Sequence, residues 1–475
     1  MLSPESATRI RATLPAVGAA IDDIAARFYD TMFADNPELL RDLFNRGNQA
    51  NGEQRAALAG ALAGYAASLV GSGRAPDAML ARIANKHASL GITPDQYILV
   101  QKYLFAAIGD ILGEAITPEV AAAWDEVYWL MAGTLIALEA VLYRESGEGW
   151  LEATVIDRRR ETADVVSFTL RPKTPRSFRP GQYISVAVPL PDGARQIRQY
   201  SLSRAPERGD WRITVKKARG DGAPDGEVSG LLHAGVRPGD VLMVSAPFGD
   251  LTLPHGDGPL LLASAGIGVT PILSMLDHLA ATDSVRRVVV AHADRTPAHH
   301  AHRAELLDLV AALPGATLHR WYEQPCACHD HADETHRGGT TPAGIATAPT
   351  STSNPTRNPA PDTVSAVAPT GTGDATWNSA APGGRNAADA AGEGRAEPGA
   401  WNAADAAGGA PAEPAPASIG RVDLTGIDLP EGVVACLCGP LPFMREARSQ
   451  LLARGVPASD IHYEVFGPDL WLPGA

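Results

Sequence analysis

The chain has 475 residues, enough for about three domains, and its 45% hydrophobic and 20% charged residues are ordinary for a globular protein. A formal net charge of −14 argues against a protein that grips nucleic acid by neutralising phosphates. Four cysteines, Cys326, Cys328, Cys436 and Cys438, are too few for a disulfide framework and point to a reducing, cytoplasmic setting.

Residues 1–146 read as helix, with Ala, Leu and Ile at helical spacing and punctuation at Pro37, Pro94 and Pro118. Thr-Pro-Asp at Pro94 and Thr-Pro-Glu at Pro118 predict helix starts: Thr as cap, Pro in the first turn, an acid at the positive end of the dipole. Six or more helices are expected. Met1–Leu14 lacks the apolar core of a secretory signal. The apolar stretches Ala56–Gly71, Val127–Tyr143 and Leu260–Leu276 each fall short of an unbroken apolar run of about 20 residues, so no membrane span is expected.

From Trp150 the period becomes strand-like. Glu152–Arg160, Val165–Arg171, Tyr183–Val188, Trp211–Lys217 and Val241–Ala246 are short and bounded by Gly/Pro turns, predicting an antiparallel barrel over 150–254. Over 258–475 strands and helices alternate (Leu260–Ala263, a helix through Leu279, Val288–His292, a helix around Arg303–Leu313, Leu318–Tyr322, Val433–Leu437), the signature of a helix-covered parallel sheet. Residues 326–418 break the alternation with Ala, Gly, Thr, Pro, Asn and Asp; they predict a disordered insertion, after which the sheet resumes at Val433. The Cys and His residues from Cys326 to His336 could ligate a metal, but one Cys-x-Cys pair in such surroundings predicts adventitious binding or none.

Four short motifs carry chemistry. Gly266-Ile267-Gly268-Val269-Thr270-Pro271 follows a strand and opens a helix, where glycines admit a pyrophosphate to the helix N-terminus. Arg198-Gln199-Tyr200-Ser201, after a predicted strand, offers an arginine for phosphate, an aromatic for a flavin face and a hydroxyl for a ring nitrogen. Cys438-Gly439-Pro440 ends a parallel strand at the ligand-binding edge of such sheets, and Val465-Phe466-Gly467-Pro468 follows Tyr463-Glu464 near the C-terminus. Singly each has a plain structural reading; their order and spacing together do not.

Residues 150–475 resemble the ferredoxin–NADP reductase superfamily on these motifs. The resemblance implies FAD held at Arg198, Gln199, Tyr200 and Ser201, with Tyr183 nearby and Gly226, Val228 and Ser229 at the pyrophosphate. It implies a nicotinamide nucleotide, NADH or NADPH, at Gly266–Pro271 and Cys438–Pro440, and cofactor binding at Val465, Phe466, Gly467 and Pro468. Val269 stands where many members have Gln, and Arg295 is a candidate partner for a 2′-phosphate. In the first domain Phe28-Tyr29-Asp30, Leu43-Phe44-Asn45, Asn51-Gly52-Glu53-Gln54-Arg55, Lys86-His87 and Asp95-Gln96-Tyr97 resemble a bacterial globin, so nearly the whole chain is similar to the flavohaemoglobin family.

The resemblance implies a cytoplasmic nitric oxide dioxygenase with haem b, FAD and NAD(P)H. NAD(P)H reduces FAD, FAD reduces haem iron, and dioxygen on the haem oxidises nitric oxide to nitrate. No nucleic acid and no obligate protein partner are implied. His87, the only histidine of the first 145 residues, would ligate iron through Nε2. Tyr97 and Glu139 would bond its second nitrogen and tune the metal. Tyr29 and Gln54 would stabilise the bound diatomic, Phe44 and Leu58 would pack on the haem, and Lys86 and Glu464 would sit at the haem–flavin junction. Two other readings stay open: a globin that binds or senses oxygen or nitric oxide, and a flavin reductase whose globin-like domain has lost haem.

Overall fold

The helix-start signals at Thr93-Pro94 and Thr117-Pro118 open two long helices in the computed structural model, which describes residues 2–50, 52–71, 75–147, 149–220, 225–324 and 417–467. The described N-terminal part contains α1 (Pro4–Ala19), α2 (Ile21–Asp35), α3 (Pro37–Asp42), α4 (Arg46–Ala50), α5 (Glu53–Leu69), α6 (Asp77–Leu90), α7 (Pro94–Leu112) and α8 (Pro118–Ser146). The Gln96 side chain accepts the Thr93 N–H at 2.9 Å, and Thr117 Oγ1 accepts the Val120 N–H at 3.4 Å, so both starts are capped as the sequence predicts. Ile10, Phe28, Met32, Trp124, Val127 and Leu135 form the core of these helices. By length and composition α8 could cross a membrane, yet its Trp124, Val127, Ala132, Leu135 and Glu139 are buried within the helical core.

Helix α6 stops at Gly91, which adopts φ 77°. That turn lets the Gly91 N–H reach Ala88 O and the Ile92 N–H reach His87 O, both at 3.1 Å, fixing the last turn of α6, which carries His87.

The second part is an antiparallel sheet in the order β4-β3-β6-β1-β2-β5. Its strands are β1 (Trp150–Arg160), β2 (Val165–Pro172), β3 (Tyr183–Pro189), β4 (Arg195–Ser201), β5 (Trp211–Lys216) and β6 (Val241–Ser245). A bridge between Leu202 and Ile213 joins the two ends of the sheet, closing a barrel around Phe168, Leu170, Ile184 and Trp211. Helix α9 (Glu227–Gly235) follows directly on Gly226. Arg198–Ser201 lie within β4 rather than after a strand; the polar side chains of this edge strand hide its alternation.

The third part is a parallel sheet, β10-β9-β8-β7-β11-β12. Its elements are β7 (Leu260–Ala265), α10 (Val269–Ala281), β8 (Val288–Asp294), α11 (Arg303–Ala312), β9 (Ala316–Tyr322), β10 (Ser418–Ile419), β11 (Val434–Cys438), α12 (Leu441–Ala453) and β12 (Ile461–Glu464). Leu260–Ala263 is fully buried, as a parallel strand covered on both faces must be. The sheet resumes at Ser418, earlier than Val433, because β10 is a two-residue pairing with Trp321 and Tyr322, too short to show a pattern. The remainder of the predicted insertion, the cysteines and histidines at its start, and Pro468 lie outside the described residues.

Candidate functional site

The helices enclose a cavity of about 1060 Å³ that runs on to β3, β4, α9 and β12. Apolar side chains dominate its helical end: Phe28, Met32 and Phe44, with Leu58 from α5, Ile83 from α6, Val100 and Leu104 from α7, and Leu135 from α8. His87 reaches into it from α6. Its Nδ1 is 2.9 Å from Tyr97 Oη and 2.9 Å from Glu139 Oε1, and Tyr97 donates to the same carboxylate oxygen at 2.5 Å. Glu139 is 2% exposed, so the carboxylate inferred from an apolar run is a core residue with both partners in place. Burial, and then the neighbouring Glu139 charge, push the Tyr97 hydroxyl well above its usual range, so Tyr97 stays a donor. A carboxylate accepts only, so the imidazole proton sits on Nδ1 and the Nε2 lone pair is left to the cavity that His87 lines.

Tyr29 and Gln54 line the same space. Burial raises the Tyr29 hydroxyl far above its ordinary range, opposed by the amides of Gln54 and of Gln49, a residue the sequence did not point to. Phe44 meets Tyr29 and Phe33 edge-on, with centroids 5.9 and 5.2 Å apart, and Leu58 joins the wall as ordinary apolar packing.

Where the cavity reaches the barrel, Tyr183, Arg198, Gln199, Tyr200, Ser201, Gly226, Val228 and Ser229 line it. The Ser201 hydroxyl is buried and has no hydrogen-bond partner. Burial lowers the affinity of the Arg198 guanidinium for its proton; Nη1 donates to Ile197 O at 2.8 Å and to Gln196 Oε1 at 3.3 Å, and the residue lines the cavity. Ser229, by contrast, is already used: its Oγ accepts the Ala218 N–H at 3.0 Å and donates to Gly226 O at 3.1 Å, shaping the turn itself. At the junction Lys86 donates to Gln199 Oε1 at 2.5 Å. Burial and the Arg198 charge lower the Lys86 amine to about 8, opposed by Glu464. Burial also lifts the Tyr183 hydroxyl, which bonds to Ser89. Glu464, Val465, Phe466 and Gly467 complete this end.

An imidazole lining an apolar chamber, its Nδ1 backed by a carboxylate, is a donor set suited to a porphyrin iron. An orphaned buried hydroxyl beside an arginine and two tyrosines suits a flavin and its phosphates. The residues present therefore fit both groups.

The remaining motifs meet elsewhere. Strands β8, β9 and β10 extend the sheet on one side of β7, and β11 and β12 on the other, so a topological switch point lies between β7 and β11. Gly266–Gly268 follows β7 and Cys438–Pro440 follows β11, the position where such sheets bind nucleotides. A side chain at Gly268 would collide with the backbone of Cys438 and Gly439, so the two loops interlock only because it is glycine. Ile267 O accepts from Thr270 Oγ1 at 3.0 Å. The side chains of Val269, Thr270, Pro271 and Cys438 are buried, leaving backbone as what these positions offer. Arg295 is paired with Asp164 at 3.2 Å. Among the described residues no group of three or more His, Cys, Asp or Glu could hold a metal ion.

Two family models match the chain: Globin over residues 26–135 and Oxidoreductase NAD-binding domain over residues 262–346. A flavohemoprotein of Rhizobium meliloti is 33% identical, the alignment covering 99% of this chain and 100% of the relative. A flavohemoprotein of Bordetella pertussis is 42% identical over 68% of this chain and 83% of the relative. Among solved structures, a flavohemoglobin from Malassezia yamatoensis with bound FAD and heme superposes with a TM-score of 0.73 at 31% identity, covering 98% of this chain and all of that one.

Proposed function

The chain belongs to the flavohemoprotein family, and from that premise we propose that it is a cytoplasmic NAD(P)H-dependent nitric oxide dioxygenase. We assign residues 1–146 to haem, 150–254 to FAD and 258–475 to the nicotinamide nucleotide. The observation that carries the reading is the His87 imidazole, bonded at Nδ1 by Tyr97 and Glu139 and lining an apolar cavity that continues to the barrel.

When bound, FAD held near Arg198, Tyr200 and Ser201 and haem held by His87 would supply the redox chemistry that links NAD(P)H to the conversion of nitric oxide and dioxygen to nitrate. The protein's share is positional and electrostatic. Glu139 takes the Nδ1 proton of His87 in a hydrogen bond, which fixes the tautomer, orients the ring and makes Nε2 a stronger donor. Tyr97 holds Glu139 in place. Tyr29, kept protonated by burial and bonded by Gln54, presents a hydroxyl where a partly negative oxygen ligand gains most from a donor. Phe28, Phe44, Leu58 and Leu135 keep water out. Arg198 and Ser201 offer donors to the flavin side, and Lys86 and Glu464 set opposite charges at the seam.

The test is consumption of NADH or NADPH in air on adding nitric oxide, with nitrate assayed. The reading predicts turnover at nitric oxide's expense and nitrate as product. A globin that only binds or senses would consume no nucleotide on that addition, and a bare flavin reductase would oxidise nucleotide without making nitrate; either result contradicts the proposal.

A further inference from the structure

Gln196 in β4 is 0% exposed, and its side chain is spent on another part of the molecule. Its Nε2 faces three main-chain carbonyls, Leu40 O at 3.3 Å, Arg41 O at 3.0 Å and Phe44 O at 3.2 Å. Its Oε1 accepts the Arg46 N–H at 3.4 Å and is 3.3 Å from the Arg198 guanidinium. With acceptors on one side and donors on the other, only one orientation of the amide satisfies both.

The partners are the groups that helix ends leave unpaired. Leu40 and Arg41 lie in the last turn of the six-residue α3, whose final carbonyls have no partner within the helix, and Arg46 opens α4, whose first N–H groups have none. A single buried amide thus caps the end of one short helix and the start of the next. Between them sits Phe44, whose ring forms cavity wall against Tyr29 and Phe33. Two neighbouring contacts strengthen the seam: Asp42 Oδ1 accepts the Arg195 N–H at 3.1 Å, and Arg46 pairs with Asp192 at 2.7 Å. Two residues beyond Gln196 along the strand is Arg198, at the flavin side of the cavity.

We infer that Gln196 is a positioning residue that locks the α3–α4 corner of the haem chamber to the flavin-binding strand, so that the spacing of the two cofactors at this corner depends on its bonds. This rests on the proposed haem and flavin sites. It places no new group at the reacting atoms; it fixes where the Phe44 wall stands relative to Arg198 and Tyr200.

The test compares the cofactor-loaded wild type with Gln196→Met, which keeps length and bulk but makes no such bonds. Gln196→Asn, too short to span both helix ends, serves where the Met variant does not accumulate. Hydrogen–deuterium exchange over residues 37–50 is expected to quicken about ten-fold, the factor one lost buried hydrogen bond commands, while α1 and α8 exchange as before. In anaerobic stopped-flow, flavin reduction by NADH is expected to keep its rate while haem reduction slows by a similar factor. Unchanged protection over 37–50 overturns the inference, and so does haem reduction that keeps its wild-type rate in a variant whose corner has loosened. Wild-type protein whose haem never responds to NADH contradicts the functional reading instead, and exchange over 37–50 still decides the role of Gln196.

Discussion

Glu139 concentrates the chemistry of the helical part in one side chain. A carboxylate buried to 2% exposure is costly unless its partners are present, and here Tyr97 and His87 both converge on Oε1. Glu139→Gln keeps an oxygen for Tyr97 but removes the charge that makes His87 a strong donor. The haem midpoint potential should rise by tens of millivolts in spectroelectrochemistry, with haem still bound; an unchanged potential would show that the carboxylate is merely structural. Tyr97→Phe should move it the same way and less. Truncation to Glu139→Ala strands two buried polar partners and should cost about 1–3 kcal/mol in chemical unfolding. These residues were legible in the sequence because their local setting is odd: a lone histidine, and an acid inside an apolar run. Gln49, Asn85 and Gln196 were not, since their setting is ordinary and their meaning lies in partners far along the chain; Asn85 Oδ1, for one, accepts the Gly249 N–H at 2.8 Å.

Between elements, α10 and α11 are tied to the barrel by part-buried polar pairs. Asp277 of α10 receives Arg208 at 2.7 Å and the Ala205 N–H at 2.8 Å. Glu305 of α11 receives both arms of Arg212 from β5, at 2.7 and 2.9 Å, and His302 Nδ1 at 2.9 Å, while His302 Nε2 meets Thr214 Oγ1 at 2.9 Å. Burial works to raise the Glu305 carboxyl, but the His302 hydrogen bond and the Arg212 charge outweigh it and hold it at about 2, against an ordinary 4.5. A carboxyl depressed in the folded state contributes stability that is fully present above pH 4.5 and is lost as pH falls toward about 2, roughly 3 kcal/mol in all. In acid unfolding, the stability gap between wild type and Glu305→Gln should close across that window; a gap that stays constant would show that the pair contributes nothing ionic. Most strands, and the helical character of residues 1–146, followed from periodicity. The edge strand β4, the two-residue β10, and β12 did not, because polar or very short strands carry no pattern to read.

Across the whole molecule, three parts of unlike architecture share one large cavity, and the parallel sheet has its topological switch point between β7 and β11. Composition alone divided the chain this way: helical period, then short strands, then alternation. It could not show that β12 carries Glu464 to the seam where Lys86 and Gln199 meet, since that closeness is a product of three domains docking. The central claim is that His87 holds a haem that the C-terminal parts reduce. An anaerobic titration of the purified holoprotein with NADH, followed at the flavin and Soret bands together, tests it most directly. The account predicts flavin bleaching followed by conversion of the Soret band from ferric to ferrous, and in His87→Ala flavin bleaching with no haem retained. A His87→Ala protein that keeps its haem and still reduces it with NADH would contradict the account.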